Sequence, residues 1–230
     1  MLKQHDHGQR HSDGSPEVAA VVTSLRPVRR KWNDSSAGGA SPVTYTIPHY
    51  PVHLIDVVRL AGDSRVIIRP TLPQDAQLQR DFFSTLSGES RYSRFMTPFA
   101  ELPETLAQRF ACIDYTSHLA LLAEVFVDGR QTMIGEARYI VDPGDANTGE
   151  FAIAVADGWQ FQGLASILLN RLERQAAASG IQRLVADTLR ANRAMIRLAE
   201  QAGYALKTNR EDAMLARLEK NLARDERQIA

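Results

Sequence analysis

Residues 150–166, EFAIAVADGWQFQGLAS, carry the chain's most informative chemistry. A strand-like run enters a short polar turn, and Gln160-Phe161-Gln162-Gly163-Leu164-Ala165 then opens a helix. The first amides of a helix have no acceptor inside it and lie at the positive end of its dipole. Small residues at 163 and 165 let an anion approach those amides as closely as a pyrophosphate requires. The pattern is a phosphate cradle without the lysine of a P-loop and without GxGxxG spacing, and neither of those motifs occurs elsewhere in the chain. By itself, Q-x-x-G-x-A equally fits a helix start whose glycine serves packing.

Other reactive side chains are scattered. Glu150 stands at the head of the strand, five residues before Val155, where an exposed strand end is the plain alternative to a catalytic role. Glu136, two residues from Arg138, is the reserve candidate for that catalytic role; an ion pair at a strand edge is its expected part. Cys112 has no His/Asn constellation near it and reads as a small buried hydrophobe on a helix. His118 precedes an apolar strand and reads as structural. In Ser90-Arg-Tyr-Ser-Arg94, either arginine could meet a substrate or merely solvate a surface. HDHGQRH near the N-terminus has metal-binding side chains but no carboxylate or cysteine at a fixed helical spacing, so no metal site is expected there.

These residues need a scaffold, and the periodicities supply one. Val66–Arg69 is a β-branched run closed by Pro70. Leu78, Phe82 and Leu86 recur at i, i+4, i+8 in a helix from Pro73, and a second helix starts with Pro103 at its first position. Leu119–Val127 is nearly all apolar, which predicts a strand covered on both faces. Asp128-Gly129 turns the chain into a partner strand, Thr132–Val141, and a further turn leads to the strand Glu150–Val155. A helix over Gly163–Ser179 stops at Gly180, and Arg183–Leu189 is strand-like. Asn192 caps a last helix that ends at Gly203. Residues 213–221 fit a strand or a helix equally. The sum is an α+β domain: an antiparallel meander joined to a strand–helix–strand–helix unit.

Composition narrows the function. The 230 residues balance 27 Lys+Arg against 27 Asp+Glu, which argues against a dedicated nucleic-acid binder. One cysteine rules out a disulfide framework and predicts a reducing, cytoplasmic setting. No apolar run approaches a membrane span, and the polar N-terminus lacks the apolar stretch of a secretory signal. Residues 1–45, rich in Ser, Gly, His and charge, are expected to be a disordered tail, 46–222 the folded domain, and 223–230 a short C-terminal tail.

The order of elements, the β-to-α position of Gln160–Ala165, and Asn192-x-x-Met-x-x-Leu-Ala-x-x-x-Gly203-Tyr204 together resemble the GNAT acetyltransferase family. The resemblance implies the GNAT fold, a mixed, mostly antiparallel central sheet flanked by helices. It also implies acetyl-CoA as cosubstrate. The loop Gln160–Ser166 would bind the pyrophosphate of coenzyme A, Ile153 and Val155 would offer backbone groups to the pantetheine arm and thioester carbonyl, and Asn192 would lie on the helix flanking the cofactor. Ala165 stands where glycine is commoner. Tyr50-Pro51, VIIRPTLPQD, LSGESRYSRF and IDYTSHLALLAE narrow the likeness to the GNAT domain of bacterial Pat-type protein lysine acetyltransferases. In many of those it is fused to an acyl-CoA synthetase-like domain, of which these 230 residues contain nothing.

In that subgroup the glutamate at the position of Glu150 is the general base. A lysine amine is mostly protonated at pH 7, and deprotonating it costs about 4–5 kcal/mol. The family's frequent tyrosine acid falls here on Ala199, and Tyr204 takes a packing position. The expected activity is acetyl transfer to a protein lysine by direct attack. A small-amine acetyltransferase and a non-catalytic acyl-CoA sensor are the alternatives, no nucleic-acid or membrane partner is expected, and the oligomeric state stays open.

Overall fold

A computed structural model describes residues 49–96 and 101–222 of the chain. The segments expected to be tails, HDHGQRH among them, lie outside the described residues. Thirteen regular strands and α-helices follow in order: β1 (Asp56–Arg59), β2 (Arg65–Pro70), α1 (Ala76–Thr85), α2 (Gly88–Phe95), α3 (Glu104–Ala111), β3 (His118–Val127), β4 (Arg130–Asp142), β5 (Asp145–Val155), α4 (Leu164–Ala178), β6 (Arg183–Leu189), α5 (Arg193–Gln201), β7 (Ala205–Thr208) and β8 (Leu215–Asn221). Short 3-10 turns at Val52–Leu54, Pro73–Asp75 and Asp157–Trp159 complete the order.

The strands form one sheet in the order β1-β2-β3-β4-β5-β6-β8-β7. All neighbours are antiparallel except β5 and β6, which are parallel and joined through α4. Asp128 and Gly129 both adopt positive φ at the β3–β4 turn, the geometry a two-residue hairpin loop requires. Pro103 lies one position earlier than expected, capping α3 rather than opening it. Of residues 213–221, Leu215–Asn221 form a strand, because β8 finds partners on both sides, β6 and β7.

Side-chain alternation along β5 divides the interior. Phe151, Ile153 and Val155 join the core under α4 and α5. Ala154 joins the smaller aromatic core under α1 and α3, with Phe82, Phe83 and Phe110. Gly135 sets how closely α4 sits on the sheet: a Cβ there would come within 3.3 Å of Leu164 and Leu168. The close approach brings the start of α4 down onto the ends of β4 and β5.

Candidate active site

The parallel ladder between β5 and β6 pairs only Thr148–Glu150 with Arg183–Val185. Beyond Glu150 the two strands part, while β5 continues to Val155 alongside β4. The split opens toward the start of α4. This follows from the chain path: β5 must run on to feed the α4 loop, and β6 turns toward β8.

At the mouth of the split the 3-10 turn Asp157–Trp159 leads into Gln160–Gly163. Gly163 is the N-cap of α4 at φ 87°, and no side chain caps the helix. The first intrahelical bond runs from Ile167 N–H to Gly163 C=O at 3.1 Å, so the amides before Ile167 point out of the helix start. A cleft of about 290 Å³ lies against this turn. Val155, Gln160, Phe161, Gly163, Ala165 and Ser166 line it from the loop side, and Ala194, Arg197, Leu198 and Gln201 of α5 close it. Among the described residues its lining carries one cation, Arg197, and no carboxylate.

Several expected residues play other parts here. The Gln160 side chain is turned inward and 6% exposed; its Nε2 donates to Val155 C=O at 3.1 Å and holds the loop to the end of β5. Gln162 Nε2 likewise donates to Gly158 C=O. Ile153 and Leu164 are buried in the core, so Ile153 could meet a ligand only through its backbone. Asn192 accepts from Met195 N–H at 3.0 Å, the cap that starts α5, and is not part of the cleft lining. Phe161 stands out from the cleft mouth, 72% exposed.

Glu150 lies at the apex of the split on the opposite face of the sheet from the α4 core. Cross-strand pairing sets Glu136 beside Ala154, Arg138 beside Ala152 and Ile140 beside Glu150. Glu136, Arg138 and Glu150 therefore share one face. The Glu136 pair sits in the protein interior rather than at the edge expected of it. Glu136 and Arg138 are fully buried, Arg138 NH2 donates to Glu136 Oε2 at 2.5 Å, and Arg94 NH2 from α2 donates to Glu136 Oε1 at 3.0 Å.

Arg94 thus does not solvate the surface. Residues 88–95 are a helix, and its guanidinium is 1% exposed among Phe83, Phe95 and Phe110. Burial pulls it down to about 10, against the opposing charges of Glu136 and Glu150, and it remains protonated at neutral pH. Burial would raise the Glu136 carboxyl, but Arg138 and Arg94 outweigh it and hold the group below the usual carboxylate range. His118 is pushed down to about 3 by burial and then by the Arg138 charge. Its Nε2 lies 3.2 Å from Arg138 NH1, and a guanidinium has only donors, so this nitrogen is the acceptor of a neutral ring.

The Glu-x-Arg spacing in an otherwise apolar strand signalled a same-face charge pair; nothing in the sequence pointed to Arg94 as its third member. Arg91, the other arginine of that stretch, donates to Leu86 C=O. Cys112 is the half-buried C-cap of α3. Tyr204 packs on Phe151, ring centroids 5.1 Å apart, and Ala199 is fully buried. Among the described residues no three His, Cys, Asp or Glu side chains gather to hold a metal, and no helix is long and apolar enough to cross a membrane.

The profile of the Acetyltransferase (GNAT) family matches residues 80–204. An acetyltransferase of Pseudomonas aeruginosa is 30% identical over 157 residues, 68% of this chain and 84% of that protein. The acetyltransferase Pat of Mycolicibacterium smegmatis is 30% identical over 139 residues, 59% of this chain, and the match spans only 40% of that longer protein. Among solved structures, the GNAT domain of S. lividans PAT superposes with a TM-score of 0.69 at 31% identity, covering 76% of this chain and all of that one.

Proposed function

From the premise that the chain belongs to the GNAT acetyltransferase family, and is thus an acyltransferase, we propose that it moves the acetyl group of acetyl-CoA to the ε-amine of a protein lysine by direct attack in a ternary complex. The carrying observation is the split between β5 and β6, with Glu150 at its apex and the uncapped start of α4 at its mouth. Likeness to the mycobacterial Pat and to the S. lividans PAT domain supports the lysine acceptor.

The cleft suits a phosphate-bearing ligand: outward amides at a helix start, one arginine and no carboxylate. Acetyl-CoA supplies the activated thioester. The amides at Leu164–Ser166 hold its pyrophosphate, Arg197 adds a positive charge beside it, and Ala165 keeps the approach open. A backbone amide near Ile153 faces the carbonyl oxygen, where a donor stabilises growing negative charge. Glu150 takes the proton from the incoming ammonium, directly or through a water, offsetting the roughly 4–5 kcal/mol that deprotonation costs at pH 7. The thiol leaving group, with a pKa of about 8.5, needs little acid assistance, in keeping with Ala199 where a tyrosine is common. A single cysteine supports a cytoplasmic setting.

The test is transfer of label from acetyl-CoA into a lysate separated into macromolecular and small-molecule fractions, with Glu150→Gln alongside. Label entering discrete proteins and lost in the variant is expected. Label confined to small amines would replace the lysine acceptor, and binding of acetyl-CoA without any transfer would leave a sensor.

A further inference from the structure

Asp157 lies in the turn between β5 and the cofactor loop, yet its carboxylate faces α2. Its Oδ2 accepts from Ser87 N–H at 2.8 Å, and its Oδ1 accepts from Ser87 Oγ at 3.1 Å and Ser90 Oγ at 2.7 Å. Ser87 Oγ in turn accepts from Ser90 N–H at 3.1 Å, capping the helix, so one carboxylate closes the start of α2 from a segment 70 positions away. A negative charge at a helix start is favoured by the helix dipole. On the loop side, Gln160 Nε2 lies 3.4 Å from Asp157 Oδ1 and 3.1 Å from Val155 C=O. At the far end of α2, Arg94 reaches Glu136 on the face shared with Glu150.

We propose that Asp157 is a positioning residue that couples the cofactor loop to the sheet face carrying Glu136 and Glu150 through α2, so that filling the loop tightens the helix carrying Arg94. The inference rests on the acetyl-CoA reading above. Three links carry it: Gln160 belongs to the loop, Asp157 bonds both Gln160 and the α2 cap, and Arg94 is the α2 side chain inside the charged cluster. Each side chain in the relay is buried or half-buried, so movement of the loop reaches α2 through these bonds with little solvent to absorb it.

Hydrogen exchange of the full chain with and without acetyl-CoA tests the coupling. In the parent protein, acetyl-CoA is expected to slow exchange at both 160–167 and 88–95. In Asp157→Asn and Ser90→Ala the slowing at 160–167 persists, while that at 88–95 shrinks by at least threefold. kcat falls by about tenfold or less in both variants, with the KM for acetyl-CoA changed less than threefold. Ser90→Ala removes one hydroxyl and keeps Asp157, so it remains informative even where Asp157→Asn fails to fold. Protection at 160–167 without protection at 88–95 in the parent, or equal protection of 88–95 in parent and variants, overturns the coupling alone. No protection anywhere in the parent overturns both the coupling and the acetyl-CoA reading.

Discussion

Arg94 and Glu136 are 42 positions apart and meet at 3.0 Å with side chains 1% and 0% exposed, forming an ion pair inside the aromatic core between α2 and the sheet. Glu136 is shared, since Arg138 holds its other oxygen. Two guanidiniums therefore converge on one buried carboxylate, and Glu150 on the neighbouring strand lies on the same face. Burying charge is tolerated only where partners compensate it, and removing one member strands the rest.

Glu136→Gln is expected to destabilise the fold by about 3–5 kcal/mol, because it leaves two buried cations without their shared anion. Arg94→Met should cost less, since Glu136 keeps Arg138 and the thioether fills part of the space among Phe83, Phe95 and Phe110. Urea unfolding of the two variants checks the order; equal losses would show that the cluster does not share its charge as drawn.

Acid should weaken the protein in two stages. The His118 ring is neutral in the fold and pushed down to about 3, while in the unfolded chain it protonates near pH 6.5. The unfolded state therefore binds an extra proton from about pH 6.5 downward, and stability falls there by at most about 1.4 kcal/mol per pH unit, less for a ring that retains some solvent contact. Glu136 adds the second stage. Its folded pKa is lowered, so its contribution is complete above the unfolded carboxylate value and is lost as pH falls below it. His118→Gln should flatten the unfolding profile between about pH 6.5 and 4.5 and leave the steeper loss below it.

Glu150→Gln should lower kcat by about 10²–10⁴, the usual worth of a positioned base, with acetyl-CoA affinity unchanged by calorimetry. The acid limb of the pH–rate profile should vanish with it. A loss confined to acetyl-CoA binding would remove Glu150 from the chemistry.

Gly163→Ala tests the loop backbone rather than its packing. A Cβ at 163 meets nothing within 4 Å, so the penalty comes only from φ 87° and should be about 1 kcal/mol of stability. Gly163→Asn should cost less, because asparagine tolerates this region better. If the two variants are equally destabilised, the left-handed cap is not what the glycine provides.

Arg197→Ala should weaken acetyl-CoA binding several-fold at low salt and less at high salt, since an exposed charge on a phosphate is screened. A loss that does not respond to salt would place Arg197 in packing instead.

Local features of the chain were legible from its sequence. The run from Glu150 through Ser166 announced a strand, a turn and a helix start, because each follows from short-range spacing and from a glycine that takes positive φ. Asn192, Gly180 and Gly203 marked helix ends for the same reason. The nearly all-apolar strand at Leu119–Val127 and the Asp128-Gly129 turn stated their own geometry. What the tertiary structure decided was pairing over distance. Residues 215–221 became a strand because β6 and β7 bracket them, and the short edges β1 and β7 exist only through their neighbours. Ser87–Arg94 carries polar and charged side chains that suit an exposed loop, yet Asp157 caps one end and Glu136 draws the other into the core. Burying an arginine is favourable only when a carboxylate 42 residues away is already in place. The partner that reverses the local preference of such a side chain lies far along the chain and only the folded sheet brings it near.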